Sequence, residues 1–199
     1  MAERDDSDNE TEIGEAPRLD PETAARRNEA IRYVRQFGDP VLKSKAMVVT
    51  QFDDDLRAQI EGMGEIMNDS LGIGLAATQL GKLNRVLVYR VEQDSPVIAL
   101  VNPQLEWSGE ELETVEEGCL SLQGVLVEVE RPVNVRVSAQ DEQGERITVE
   151  ASGLEARVIQ HEMDHLDGVL ILDRTSRSER KQAMKILRER ERAAEDAVA

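Results

Sequence analysis

The chain is short of the residues that most often carry function. It has one cysteine, two histidines, one tryptophan, two tyrosines and two phenylalanines in 199 residues. A single thiol, Cys119, excludes an internal disulfide and points to a reducing, cytoplasmic setting. With aromatics at 3%, a core must rest on Val, Ile, Leu and Ala, and the 40% hydrophobic content suffices for one domain with extended ends. No run of about 18 apolar residues is present, which excludes a membrane-spanning helix. The N-terminus has neither the apolar stretch of a secretory signal nor the basic character of a transit peptide. A net charge of −17 argues against a general or sequence-specific nucleic-acid binder, which needs a basic footprint.

The charge that is present is unevenly spread. Residues 1–28 hold nine acids against four arginines and few large apolar side chains, so they are expected to form a disordered acidic tail. Residues 29–175 carry the apolar periodicity of a folded domain. From 176 to 199 the pattern is that of a basic helix and tail: eight Lys or Arg lie between Arg174 and Arg192 against three Glu. Its apolar stripe is short (Ala183, Ile186, Leu187). A solvated helix laced with Glu–Arg pairs accounts for this segment; electrostatic contact with ribosomal RNA is the alternative.

Between the tails, Leu56, Ile60, Met63 and Met67 recur at spacings of four, three and four, which predicts an amphipathic helix over residues 53–70. Residues 85–91 and 97–105 are apolar runs of strand length. Val133, Val135 and Val137 alternate with polar residues, and Ile147, Val149 and Ala151 repeat the pattern beyond Asp141–Gly144, which predicts a hairpin. Ser152 followed by Glu155 has the form of a capping box, and Gly168 that of a helix stop.

That last helix contains QHEMDH, residues 160–165, with both histidines of the chain four residues apart. Leu154, Val158, His161 and His165 fall on one stripe, so the imidazoles continue the buried face and can point at one atom. The H-E-x-x-H spacing suits a divalent metal, and Glu162, about 100° around the axis, reaches a water beside it without being a ligand. Catalytic sites of the zinc type use three protein ligands and leave one position open. Cys119 is the remaining soft donor; only an Asp or Glu is left to close the shell. An open position supplies a nucleophile near neutral pH, and Glu162 can take and return its proton. These residues argue for hydrolysis of an amide-like bond without saying which.

A third segment, GIGLAATQ (72–79), combines close-approach glycines with the amide of Gln79. In the order GIGLAATQ, EGCLS (117–121), QHEMDH, the chain resembles the signature motifs of peptide deformylases, with FGDPVLK (37–43) and HLDGVL (165–170) extending the likeness over residues 30 to 175. The resemblance implies an α+β fold of antiparallel strands wrapped around a central metal-binding helix, with a C-terminal helix. It implies removal of the formyl group from the formylmethionine of newly made proteins, releasing formate. It assigns Cys119, His161 and His165 as metal ligands, ferrous iron in the cell with zinc or nickel as isolated alternatives. It makes Glu162 the general acid/base, Gln79 and the Leu120 N–H the oxyanion donors, and Gly74 a neighbour of the substrate backbone. Glu117 and Arg131 are expected to pair near the metal loop. Ile73 and Val158 are expected to line a methionine pocket, and an extended substrate to add as a strand beside residues 122–127. Two positions depart from the family pattern: Gln123 and Thr78 stand where proline is common.

Two other readings share the motif. A metalloprotease of the H-E-x-x-H type takes its third ligand from a downstream His or Glu; no third histidine exists, and Glu179 and Glu189 fall in the basic helix. A structural metal would need a fourth protein ligand.

Overall fold

Asp20 opens the first helix of the computed structural model, which describes residues 19–198. Its carboxylate accepts the N–H groups of Glu22 and Thr23, and Pro21 sits in the first turn, where its missing N–H is no loss. Helix α1 (Pro21–Ile31) therefore occupies residues 21–28, which composition had assigned to a disordered tail. Residues 1–18 of that expected tail lie outside the described residues.

Helix α2 (Asp54–Asp69) is capped by Asp53, and its expected stripe of Leu56, Ile60, Met63 and Met67 is buried. Five strands form one antiparallel sheet in the order β1-β2-β3-β6-β7: β1 (Gly74–Ala76), β2 (Val86–Tyr89), β3 (Ile98–Ser108), β6 (Asn134–Gln140) and β7 (Arg146–Ser152). Strand β2 is buried on both faces. Val86 and Val88 join the cluster under α2, whereas Leu87 and Tyr89 join the cluster under α3 (Gly153–Leu166). The period-two alternation of strand side chains thus places one helix on each side of the sheet.

Two further strands, β4 (Leu112–Gly118) and β5 (Leu126–Pro132), form a separate antiparallel pair. Short α4 (Ile171–Arg174) leads into α5 (Arg177–Val198). In α5, Ala183 and Leu187 are buried in a cluster with Leu122, Val127 and Val129, while Ile186 remains exposed. The α+β expectation holds, with strands from both sheets packed around α3 and a C-terminal helix outside them.

The helix bearing the histidines starts differently from its sequence signature. The Ser152 side chain makes no capping bond. Ser152 ends β7 opposite Asn134, and the Gly153 N–H donates to Val133 O at 2.9 Å. Glu155 accepts from the Tyr89 hydroxyl at 2.9 Å, so a tertiary partner has taken the capping glutamate. Gly168 does end the turn after α3, at φ 72°.

Candidate metal centre and active site

His161 and His165 stand one turn apart on α3 with their Nε2 atoms 3.2 Å from each other. The Cys119 sulfur lies 3.2 Å from His165 Nε2, and one donor atom from each of the three residues falls within 4.8 Å of the others. Cys119 reaches this point because it follows β4 directly, at the start of a turn that connects β4 to β5. In that turn the Leu122 N–H donates to Cys119 O and the Val125 N–H to Leu122 O. Residues 122–125 are consequently turn and not strand, which corrects the expectation of strand addition along 122–127.

The donor set fits a divalent ion. His161 Nδ1 is 2.9 Å from Glu117 Oε2 and donates to that carboxylate, so Nε2 is the ring atom turned towards the other two donors. Two buried imidazole nitrogens 3.2 Å apart cannot both be protonated: burial and a charged His161 hold His165 well below its ordinary pKa, whereas contacts with Cys119 and Glu117 outweigh burial and hold His161 well above it, so an ion bound here would take the place of the His161 proton. Two imidazole nitrogens and a cysteine sulfur converging at this spacing suit one ion with bonds of about 2.0–2.3 Å.

Behind the ligands lies a buried ionic network larger than sequence reasoning suggested. Arg131 donates to both Glu117 oxygens, at 2.7 and 3.0 Å, and to Asp164 at 2.8 Å. The expected Glu117–Arg131 pair is therefore made, and it is buried. Arg157 adds a bond to Glu117 at 2.8 Å, and Arg174 donates twice to Asp164. Burial alone would raise the Glu117 carboxyl; the bonds from His161 and Arg131 outweigh it and hold the group at about 2. Arg157 and Asp164 were missed from sequence, yet their spacing held a signal: they lie four residues before and three after His161, and such neighbours share a helix face.

Glu162 is buried, one of its oxygens has no partner, and burial pushes it up to about 7. Its other oxygen fills the space beside Gly74, where a Cβ would come within 2.5 Å. Gly74 thus accommodates the carboxylate as well as lining the site. Gln79 is buried with its orientation fixed: the Ala76 N–H donates to its Oε1 at 2.9 Å. Its Nε2 consequently faces the Cys119 sulfur at 3.7 Å and the Ser121 hydroxyl at 3.2 Å. Among the described residues no acceptor holds the Leu120 N–H.

These groups surround a cavity of about 180 Å³ bounded by Gly74, Gln79, Leu120, His161 and Glu162. Its apolar wall is Ile73, Leu154 and Val158. Leu154, expected on the buried stripe, is 54% exposed at the rim, because the cavity opens where that stripe would meet a neighbour. At the other departure from the family pattern, the Thr78 hydroxyl donates to His165 O at 3.1 Å and so steadies the ligand helix.

A helix delivering two imidazoles and a buried carboxylate against a thiol-bearing turn, under an antiparallel sheet, defines a metal-dependent hydrolase. Comparison with known proteins narrows the class. A family model described as polypeptide deformylase matches residues 31–181. Peptide deformylase 1 of Corynebacterium efficiens is 48% identical over 160 residues, covering 79% of this chain and 95% of that relative. The crystal structure of a Synechococcus elongatus peptide deformylase in complex with actinonin superposes with a TM-score of 0.74 at 43% identity, covering 76% of this chain and 85% of that one. A Thermotoga maritima peptide deformylase structure gives 0.69 at 45% identity, covering 72% and 96%. The chain belongs to the polypeptide deformylase family.

Proposed function

We infer that this protein hydrolyses the N-formyl group of formylmethionine at the start of newly synthesised chains, releasing formate. The observation that carries the reading is the convergence of Cys119, His161 and His165 beside the buried carboxylate of Glu162, in a member of the deformylase family.

Each residue has a role the geometry can support. A divalent ion held by Cys119, His161 and His165 supplies Lewis acidity when bound. Glu162 takes a proton from the attacking water and returns it to the departing amine; a carboxyl near 7 is well matched to both transfers. The Gln79 amide and the Leu120 N–H donate to the oxygen that gains charge, a contribution typically worth about 10²–10³ in rate per donor. Ile73, Leu154 and Val158 receive the methionine side chain. Strand β1 is at the sheet edge and Gly74 lines the cavity, so an extended peptide can add there in place of the 122–127 segment.

Ferrous iron is the working ion in this reading, with zinc or nickel as substitutes, and the cytoplasm is the place of action. A thiolate-bound iron is prone to oxidation, so iron-loaded protein loses activity in air faster than nickel-loaded protein; equal decay would count against iron. Contact with the ribosome through α5 is tested by reversing the exposed Lys181, Lys185 and Arg188. Co-sedimentation should weaken and lose its salt dependence; unchanged co-sedimentation removes the ribosome from the account.

The activity itself is tested with formyl-Met-Ala-Ser, acetyl-Met-Ala-Ser and casein, each with and without a chelator. Formate from the first alone, abolished by chelation and by Glu162→Ala, is expected. Cleavage of casein would favour a protease, and inertness towards all three a structural metal.

A further inference from the structure

The two expected oxyanion donors belong to segments far apart in the chain, and a third segment holds them in register. The Arg35 N–H donates to Gln79 O at 2.7 Å, and the Phe37 N–H donates to Ser121 O at 2.9 Å. Between them, Gln36 uses its side chain. Its Nε2 donates to Val34 O at 2.9 Å and to Leu120 O at 3.3 Å, and its Oε1 accepts from Gln123 Nε2 at 3.2 Å. Because Leu122 N–H closes on Cys119 O at 3.0 Å, three consecutive carbonyls of the metal loop, at 119, 120 and 121, are all occupied.

Helix α5 closes the arrangement from outside. Arg190 donates to Gln123 O. Gly124 beside it is at φ 74°, a left-handed conformation that favours glycine. Leu187, one turn earlier on α5, is buried in the cluster that also holds Leu122 and Val125.

We propose that Gln36, braced by Gln123 and Arg190, is a positioning residue: it holds the Leu120 carbonyl and so, across the Leu120 α-carbon, fixes the adjoining Cys119–Leu120 peptide, with the Leu120 N–H and the Cys119 sulfur, at the distance from Gln79 that the reaction requires. The proposal rests on the deformylase reading for its effect on rate, but not for its effect on the loop. Proline would stiffen this turn through its own ring; here Gln123 does so through a side-chain bond to a neighbouring segment.

The test uses full-length, metal-loaded protein with Gln36→Ala and Gln36→Glu. Glutamate keeps the size but offers acceptors only, so it removes both donated bonds without opening a hole. In both variants kcat for formyl-Met-Ala-Ser should fall about three- to tenfold with KM little changed, the fold-change that loss of one modest hydrogen bond produces. Amide exchange over residues 119–124 should quicken, and the sulfur-to-metal charge-transfer band of the cobalt(II)-substituted protein should shift. Arg190→Ala should quicken the same exchange. Unaltered loop exchange in the Gln36 variants overturns the proposal, as does a loosened loop with unchanged kcat. If wild-type protein releases no formate, the deformylase reading fails instead, and exchange and the cobalt spectrum decide the clamp alone.

Discussion

The Glu162 carboxylate occupies the space that a side chain at residue 74 would fill: a Cβ on Gly74 would lie 2.5 Å from its Oε1. A strand and a helix that meet this closely fix the carboxylate without any hydrogen bond to its second oxygen. Gly74→Ala should therefore push Glu162 out of place. Since positioned acid/base groups typically contribute about 10²–10⁴ in rate, kcat should drop at least about 10²-fold while metal content stays at the wild-type level. Metal loss in parallel would mean that the substitution disturbs the ligands and not the carboxylate.

Glu117 joins His161 to two buried arginines. Glu117→Gln keeps the shape but leaves Arg131 and Arg157 facing a neutral amide, and it weakens the orientation of the His161 ring. Partners of this kind typically contribute about 10–100-fold to metal affinity. Competition with a chelator should show a loss in that range, with lower thermal stability because buried cations lose their counter-charge. Wild-type affinity would show that His161 is oriented by its neighbours alone.

Tyr89 sets a limit at high pH. Burial, and then the Glu155 carboxylate that accepts its proton, push its phenol well above the ordinary value. A group whose folded pKa is raised contributes stability fully present below its unfolded value, about 10 for tyrosine, and lost as pH climbs through the folded value. In Tyr33→Phe protein, which leaves Tyr89 as the only tyrosine, tyrosinate absorbance should appear only well above pH 10 and together with the loss of far-UV dichroism. Ionisation near 10 in folded protein would contradict the burial argument.

Asp164 joins Arg131 to Arg174, binding α3 to the segment that follows it. Asp164→Ala should lower stability by about 3–5 kcal/mol, the cost of breaking a buried ionic contact from one side. Chemical denaturation measures this, and a loss under about 1 kcal/mol would show that solvent screens the Asp164 contacts.

What could be read from sequence follows from how local each signal is. His161 and His165 were legible because helix geometry alone fixes residues four apart on one face. Cys119 was inferred by elimination and by resemblance, since nothing local brings a thiol 42 residues away to an imidazole; β4 does so through pairing with β5. Strand β4 itself was invisible. Three of its seven residues are glutamates, and a strand specified by its partner carries no period of its own. Helix α1 was hidden by acidic composition, although Asp20-Pro21-Glu22 held a start signal. Ser152 and Glu155 gave the opposite error. The motif was present, but the Tyr89 hydroxyl claimed the glutamate, as tertiary contacts commonly override local ones. The network around Glu117 was half legible: the Arg131 pair came with the family likeness, whereas Arg157 and Asp164 needed the face of α3 to be drawn beyond its apolar stripe.

The central claim is that one sulfur and two imidazole nitrogens share a single ion. X-ray absorption of the metal-loaded protein tests it most directly. One sulfur scatterer at about 2.3 Å and two imidazole nitrogens at about 2.0–2.1 Å, with the sulfur signal lost in Cys119→Ser, is the expected spectrum. A first shell without sulfur, or one closed by a fourth protein side chain, would contradict the account.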